Sequence, residues 1–295
     1  MGMVIPIYFF GGKMKYSHKE MINNLNKNSF SFKKKYGQNF IVDSNIINKI
    51  VDNSGIDSNT MVIEIGPGAG SLTYKLVQSA SFVLCYEIDK DVSRILTDNL
   101  KDYNNYEIIF DDFLKRDLKS DLKKYKYDRL MVVANLPYYI TTPIIIKIIE
   151  ECIDVDKMVF MVQKEVGDRF KAKEGSKEYN SLSIFLNYYF DVKKIADVSR
   201  NVFIPVPNVD SIVVEFSRKE KKQFVQNLDL FFKIVRDSFK QKRKTLKNNL
   251  KGYNLDIIDR VLHIYGYKLS DRAEKIPAKV FVEIANKLDN EQKCS

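Results

Sequence analysis

A glycine-rich turn lies between a predicted buried strand, 61–65, and a predicted helix that begins at residue 71. Its glycines stand at positions 66, 68 and 70, and glycine permits tight turns and close approach of a ligand to the backbone. Dinucleotide-binding proteins use the longer spacing GxGxxG and hold a pyrophosphate at the helix start. S-adenosylmethionine carries no phosphate, so the GxGxG spacing favours this cofactor. A nicotinamide dinucleotide is the alternative.

Two acidic residues follow the next two predicted strands, 82–86 and 106–110. Glu87 stands 21 residues after Gly66, where a carboxylate can accept hydrogen bonds from both ribose hydroxyls. Asp112 can accept from the adenine amino group of a cofactor, and neighbouring apolar side chains can pack on the ring. Either acid alone is equally typical of an ordinary loop. The cofactor contacts predicted on this edge are Gly66, Gly68, Glu87, Ile88, Asp112 and Phe113.

The run Asn135, Leu136, Pro137 and Tyr138 follows the fourth predicted strand, 130–134, at the same edge of the sheet. An aromatic amine is a weak nucleophile because its lone pair is delocalised into the ring. The Asn135 oxygen and a nearby backbone carbonyl could accept both amine hydrogens and turn the lone pair toward a sulfonium methyl. Pro137 stiffens the turn, and Tyr138 offers a flat surface for an unstacked base. The run therefore predicts methyl transfer governed by positioning; a simple strand-ending turn is the alternative.

Alternating strands and helices are expected to position these groups. The predicted strands are 61–65, 82–86, 106–110, 130–134, 157–163, 192–198 and 211–216. Their alternation with helical patterns predicts an α/β domain, 33–217, with a seven-stranded, mostly parallel sheet. Apolar residues at helical spacing predict a small all-helical domain over 218–295. Residues 1–32 show no sustained periodicity and are predicted to be a flexible extension.

Charge is distributed unevenly around a total of +10. Residues 1–40 carry a net charge of +6, residues 41–217 carry −5 and residues 218–295 carry +9. Two basic ends on a slightly acidic body are expected of a protein that holds a polyanion through its extremities. A lysine-rich composition bias is the alternative, but it does not explain why the central segment is spared.

Several other classes of protein find little support. No run of about 18 uncharged apolar residues is present, and the apolar first ten residues lack a basic lead-in, so we predict a cytoplasmic protein without a membrane partner. The three cysteines and two histidines share no ligand spacing, which argues against a metal site or a disulfide framework.

With these residues identified, the sequence over about 33–285 resembles the ribosomal RNA adenine dimethyltransferases of the KsgA type. The segment 35–41, KYGQNFI, is similar to the family's opening motif and implies cofactor contacts by Asn39 and Ile41. The resemblance also implies that Asn135 contacts the cofactor. The segment 203–211, FIPVPNVDS, is similar to the family's FxPxPxVxS block and implies that Phe203 faces Tyr138 across the target base.

Basic residues supply a further point of resemblance. The segment 239–250 is similar to the family's helical-domain signature, which begins with a basic run and implies contact with rRNA phosphates. Read from the residues alone, a helix here would direct Phe239, Leu246 and Leu250 toward a core and its cations outward, and a solvated charged face is the alternative. The residues predicted to contact RNA are Lys33, Lys34, Lys35, Lys240, Lys242, Arg243, Lys244 and Lys247.

The resemblance implies a Rossmann-like class I methyltransferase that dimethylates two adjacent adenosines near the 3′ end of 16S rRNA. Its cofactor would be S-adenosylmethionine, its partner an assembling small subunit, and its state monomeric. Macrolide-resistance 23S rRNA methyltransferases share the fold but commonly have Ile in place of Leu136. DNA adenine methyltransferases usually have DPPY or NPPY and a target-recognition domain. A non-enzymatic assembly or transcription factor of this fold would not need the glycine turn, Glu87 and Asn135.

Overall fold

The computed structural model describes residues 23, 25, 27, 30–137, 139–151 and 153–294, and within them the apolar runs form strands. In chain order the strands are β1 (Phe40–Ile41), β2 (Thr60–Ile65), β3 (Phe82–Tyr86), β4 (Tyr106–Ile109), β5 (Arg129–Asn135), β6 (Lys157–Gln163), β7 (Phe190–Val198), β8 (Phe203–Ile204) and β9 (Ser211–Arg218). Seven of them form one sheet in the order β4-β3-β2-β5-β6-β9-β7. The predicted seven-stranded, mostly parallel sheet is thereby confirmed.

Strand direction places the carboxyl ends of five strands, β2 to β6, at one edge. β2 pairs in parallel with β3 on one side and with β5 on the other. β3 in turn pairs in parallel with β4, and β5 pairs in parallel with β6. β9 runs antiparallel between β6 and β7. The residues that follow β2, β3, β4 and β5 therefore meet along the same edge, which is where open α/β sheets bind ligands.

Helices cover both faces of the sheet. They are α1 (Ser44–Ser54), α2 (Ser71–Ser79), α3 (Ser93–Leu100), α4 (Leu118–Leu122), α5 (Thr141–Glu150), α6 (Lys164–Phe170) and α7 (Ser181–Tyr189). Side chains of β2 alternate between two hydrophobic clusters, with Met61, Ile63 and Ile65 in one and Val62 in the other. Burial on both faces explains why the central strands are almost continuously apolar.

A helical region follows the sheet, as predicted. Its helices are α8 (Leu228–Phe239), α9 (Leu246–Asn249), α10 (Leu255–Ile264) and α11 (Ala278–Cys294). Asn227 begins α8 by accepting a hydrogen bond from the backbone N–H of Leu230, and Asn254 begins α10 in the same way. The region packs against α7, and its buried residues belong to the same hydrophobic cluster as one face of the sheet. None of the helices within the described ranges is long and apolar enough to cross a bilayer.

One helix in this region differs from its prediction. A single helix was expected through 239–250, but α8 ends at Phe239 and α9 begins only at Leu246. The Asn249 side chain donates hydrogen bonds to the carbonyls of Ser238 and Gln241, at 2.7 and 3.2 Å, and so satisfies the end of α8. Leu246 and Leu250 are nevertheless fully buried, as predicted.

The strands β1 and β8 form a separate two-stranded ribbon that the sequence pattern did not predict. Ile41 pairs with Phe203 and Phe40 with Ile204. Before this ribbon, residues 1–22, 24, 26, 28 and 29 of the predicted extension lie outside the described residues. At the end of the extension, Phe30 and Phe32 pack against Phe40. This part of the extension therefore packs on the same body as the sheet.

Candidate active site

A cleft opens at the carboxyl edge of the sheet. The residues 36–41, which precede the sheet in sequence, form one wall. All of the predicted cofactor contacts line the cleft, namely Asn39, Ile41, Gly66, Gly68, Glu87, Ile88, Asp112, Phe113 and Asn135.

The glycine turn is packed closely against the wall. Gly68 has a φ of +56°, and a Cβ atom at this position would lie 2.6 Å from Cε1 of Phe40. Both the backbone conformation and the contact therefore require glycine. Gly66 donates its N–H to the carbonyl of Tyr86 at 2.9 Å, which joins the turn to the end of β3.

Glu87 is held by backbone groups rather than by a cation. One carboxylate oxygen accepts from the N–H of Gly68 at 3.0 Å, and the other accepts from the N–H of Asp89 at 2.8 Å. Only 5% of the residue is exposed, and burial raises the pKa of Glu87 above its ordinary value. The carboxylate is thus fixed beside the turn with its orientation set in advance.

The next strand end provides a polar group and apolar surfaces. Asp112 accepts from the N–H of Leu114 at 3.0 Å and so begins the short 3-10 helix Phe113–Lys115. Phe113 is buried with its ring edge-on to Tyr86, at 5.2 Å between centroids. Ile88 is 43% exposed. An exposed aliphatic side chain at a cleft is suited to pack against a flat ring.

The amide of Asn135 has a defined orientation. Its Nδ2 donates to the backbone carbonyl of Asn39 at 2.8 Å, which leaves Oδ1 as the acceptor that the side chain can offer to a ligand. The carbonyl of Pro137 accepts from the N–H of Ile140 and from the hydroxyl of Thr141. Leu136 donates its N–H to the carbonyl of Met161 at 3.1 Å and also lines the cleft.

Two aromatic residues, Tyr138 and Phe203, were predicted to face the target base, and the structure describes only the second. Tyr138 lies outside the described residues. Phe203 is only 1% exposed, packs in the core with Ile41 and does not line the cleft, so a contact between Phe203 and a base would require movement of this ribbon. Its contact with the base stays a prediction. Tyr139, which we did not predict as a site residue, is 58% exposed at the mouth of the cleft and faces Gly37.

The sequence pattern also did not predict a polar network next to the wall, formed by Lys33, Gln38, Asp89 and Asp91. Lys33 forms ion pairs with Asp89 and Asp91, at 2.6 and 2.5 Å, and Gln38 donates to Asp89 at 2.6 Å. Burial alone would raise the pKa of Asp89, but the hydrogen bonds from Lys33 and Gln38 hold it below its usual value. Lys33, predicted to contact RNA, is therefore already paired with two carboxylates. Contacts between residues 51 to 56 positions apart carry no local sequence signal.

The other cations predicted to contact RNA whose side chains the structure describes are exposed. Lys240, Lys242, Arg243, Lys244 and Lys247 are all exposed, around the turn between α8 and α9. Lys242 donates to the carbonyl of Lys177 at 2.7 Å. Lys35 is exposed and lies over the ring of Tyr36, whereas the side chain of Lys34 is outside what the structure describes.

Solved structures with this architecture match most of the chain. A dimethyladenosine transferase from Plasmodium falciparum has a TM-score of 0.70 and 26% identity, over 86% of this chain and 98% of that one. The 23S rRNA methyltransferase ErmE has a TM-score of 0.65 and 22% identity, over 85% of this chain and all of that one, which shows a common fold. The fold and its cleft define a Rossmann-like methyltransferase, a class that uses S-adenosylmethionine as methyl donor.

A family model gives a finer assignment. Residues 29–290 match the model described as ribosomal RNA adenine dimethylase, and the chain belongs to this family. Ribosomal RNA small subunit methyltransferase A of Staphylococcus aureus strain JH9 is 48% identical over 235 residues, which is 79% of each chain. The protein is therefore a methyltransferase enzyme of the rRNA adenine dimethylase family.

Proposed function

We propose that this protein transfers methyl groups from S-adenosylmethionine to the exocyclic amines of two adjacent adenosines near the 3′ end of small-subunit rRNA. The 48% identity to a ribosomal RNA small subunit methyltransferase A supports this choice of substrate over 23S rRNA. The substrate would be an assembling subunit, because an adenosine amine must be accessible before it can enter the cleft.

The composition of the cleft carries the choice of cofactor. Among the described residues that line it, none is Lys, Arg or His. A dinucleotide would bring two phosphates, for which such a lining offers no cationic partner, and the turn has GxGxG in place of the GxGxxG spacing that holds a pyrophosphate at the helix start. S-adenosylmethionine brings a ribose, an adenine ring and a positively charged sulfonium, which suit carboxylates and apolar walls.

The residues that would hold this cofactor have complementary chemistry. Glu87 has oxygens that can accept from ribose hydroxyls, and it stands beside the glycine turn. Asp112 can accept from the adenine amine, with Ile88 and Phe113 against the ring. The bound cofactor would supply an electrophilic methyl group, so this chain needs to provide neither a metal nor a covalent nucleophile.

The contribution of Asn135 is to prepare the target amine. Because Nδ2 is engaged by the carbonyl of Asn39, Oδ1 is available to accept one amine hydrogen. The carbonyl of Leu136 is suited to accept the other, since that of Pro137 is engaged in the turn. Two acceptors would draw the nitrogen toward a pyramidal geometry and aim its lone pair. The proton leaves readily after transfer because the methylated nitrogen is then cationic.

Exposed cations on the turn between α8 and α9 would hold the RNA by its phosphates. Such contacts position the substrate without reading its sequence. The choice of two particular adenosines must then come from which amines of the folded rRNA can reach the cleft.

The proposal is tested with small subunits that lack the modification. Wild-type protein and labelled S-adenosylmethionine should produce dimethyladenosine, detected by nucleoside mass spectrometry, in small-subunit but not large-subunit rRNA. An Asn135→Ala variant should retain cofactor binding, with some loss of affinity because Asn135 is also a predicted cofactor contact, but methylate at least about a hundredfold more slowly at saturating cofactor, as when one positioned group is removed from an active site. Asn53→Ala, at an exposed asparagine whose described side-chain hydrogen bond lies within α1, is the matched control. Equal rates for wild type and Asn135→Ala would refute the catalytic assignment.

A further inference from the structure

We propose that Asp89 is a positioning residue that fixes the segment 33–41, whose residues 36–41 form the wall of the cleft, so that one segment holds both the cofactor and the catalytic amide. This inference rests on the proposed function, because it assigns a task to one side of the same cleft. The observation behind it is a buried carboxylate that the proposed chemistry does not use.

Asp89 is almost completely enclosed, with 1% of its side chain exposed. Its Oδ1 accepts from Nζ of Lys33 at 2.6 Å, and its Oδ2 accepts from Nε2 of Gln38 at 2.6 Å. The backbone N–H of Lys33 donates to Oε1 of Gln38 at 2.8 Å and closes the set. A buried carboxylate with both oxygens engaged by one distant segment is a specific anchor.

Contacts that do not involve Asp89 hold Phe40 and Ile41 at the end of the segment, but residues 33–38 depend on Asp89. Ile41 pairs with Phe203, and Phe40 packs on Gly68. For residues 33–38, the described hydrogen bonds and ion pairs to the rest of the chain all end on Asp89 or, for Lys33, also on Asp91. Without Asp89, this stretch would be retained mainly by the packing of its neighbours.

The same network reaches both halves of the site. The backbone N–H of Asp89 donates to Glu87, the residue proposed to bind ribose, at 2.8 Å. Gln38, which Asp89 holds, precedes Asn39, whose carbonyl orients the amide of Asn135 at 2.8 Å. A shift of the wall would therefore disturb cofactor binding and amine positioning together.

The expected change in cofactor affinity follows from the fraction of molecules in which the wall is closed, that is, held in the position seen in the structure. If loss of the anchor leaves the wall closed about one time in ten, the apparent Kd for S-adenosylmethionine rises about tenfold. Asn135 would also lose its fixed acceptor direction, so kcat should fall in addition to the rise in KM. A residue that only supports the fold would lower the thermal midpoint without changing both constants.

The experiment is calorimetric titration of the full chain with S-adenosylmethionine. We expect Asp89→Asn to raise Kd about tenfold, Lys33→Met to raise it severalfold, and the double variant to be no worse than Asp89→Asn, because both changes remove one interaction. Lys33→Arg should retain most of the affinity. Asp197→Asn is the matched control, since Asp197 forms an exposed ion pair with Lys194. Amide hydrogen exchange of residues 33–41 should accelerate in Asp89→Asn and not in the control.

The outcomes separate this inference from the proposed function. Wild-type protein that fails to bind S-adenosylmethionine would contradict the proposed function. Wild-type binding that is matched by Asp89→Asn and Lys33→Met, or variant effects that simply add, would overturn the role of Asp89. Should Asp89→Asn not fold, Lys33→Met and Lys33→Arg decide the matter, because Lys33 lies at the partly exposed end of the network.

Discussion

Backbone groups, rather than cations, orient Glu87 and Asn135 at the cleft. Glu87 accepts from two backbone N–H groups, and Asn135 donates to a backbone carbonyl. Such partners fix direction without placing a fixed positive charge beside a cofactor that is itself cationic. This arrangement suits a reaction in which a neutral amine attacks a positively charged methyl donor and in which placement supplies most of the catalysis.

Glu64 is a buried carboxyl group that lines the cleft. It is 1% exposed, and burial, with the nearby Glu87 carboxylate, raises the pKa of Glu64 to about 8. Below about pH 4 it is protonated in both the folded and the unfolded chain. Between that pH and 8 the unfolded chain releases a proton that the folded chain retains, so Glu64 costs stability as pH rises.

Glu64→Gln should therefore stabilise the protein progressively as pH increases. The gain over wild type in the free energy of unfolding should grow by at most about 1.4 kcal/mol per pH unit from pH 5 to 8 and then level off. Urea unfolding at pH 5, 6, 7 and 8 measures it. Glu165→Gln, at a largely exposed glutamate, should show no such trend. A gain that stays constant with pH would mean that Glu64 is ionised in the folded protein.

At the scale of elements, the sequence predicts strands and helices from their apolar periodicity and from the glycines and polar residues at their ends. It does not predict contacts between residues that are far apart in the chain. The glycine turn, Glu87 and Asn135 each follow a buried apolar run, so their common position at one edge could be inferred from strand direction. The ribbon of β1 with β8 consists of two-residue strands, which are too short to show alternation. The pairing of Lys33 with Asp89 was missed for the related reason that a lysine in a basic run suggests solvent or phosphate.

The turn between α8 and α9 is the element expected to bind RNA. Changing Lys240, Arg243 and Lys244 together to Gln should weaken binding to rRNA fragments and lower the slope of log affinity against log salt by roughly two to three, since each phosphate contact contributes about one. Fluorescence titration at several salt concentrations measures both quantities.

Charge alone must be separated from location in that experiment. A variant with Lys101, Lys123 and Lys126 changed to Gln removes the same charge from exposed positions on the catalytic domain and should change the slope less. Equal slopes for the two variants would indicate that the turn acts only through net charge and makes no direct phosphate contact.

At the scale of the whole molecule, the helical region and the sheet share one hydrophobic core. Phe231 of α8 is fully buried and lies 5.1 Å from the ring of Tyr188 and 6.1 Å from that of Phe185, both on α7. Phe232 lies 4.9 Å from Phe185. Aromatic contacts of this kind fix the basic turn relative to the cleft, which a substrate held at both places requires.

We expect the two regions to unfold as one cooperative unit because this cluster is continuous across them. Phe231→Ala removes a fully buried ring at their junction and should lower the free energy of unfolding by about 3 to 5 kcal/mol. Phe224→Ala, at a phenylalanine that is 74% exposed, should change it little. Calorimetry of wild type should give a single transition that Phe231→Ala shifts as a whole. Two separate transitions, with only the lower one shifted by Phe231→Ala, would instead mean that the aromatic junction does not couple the substrate-holding helices to the catalytic sheet.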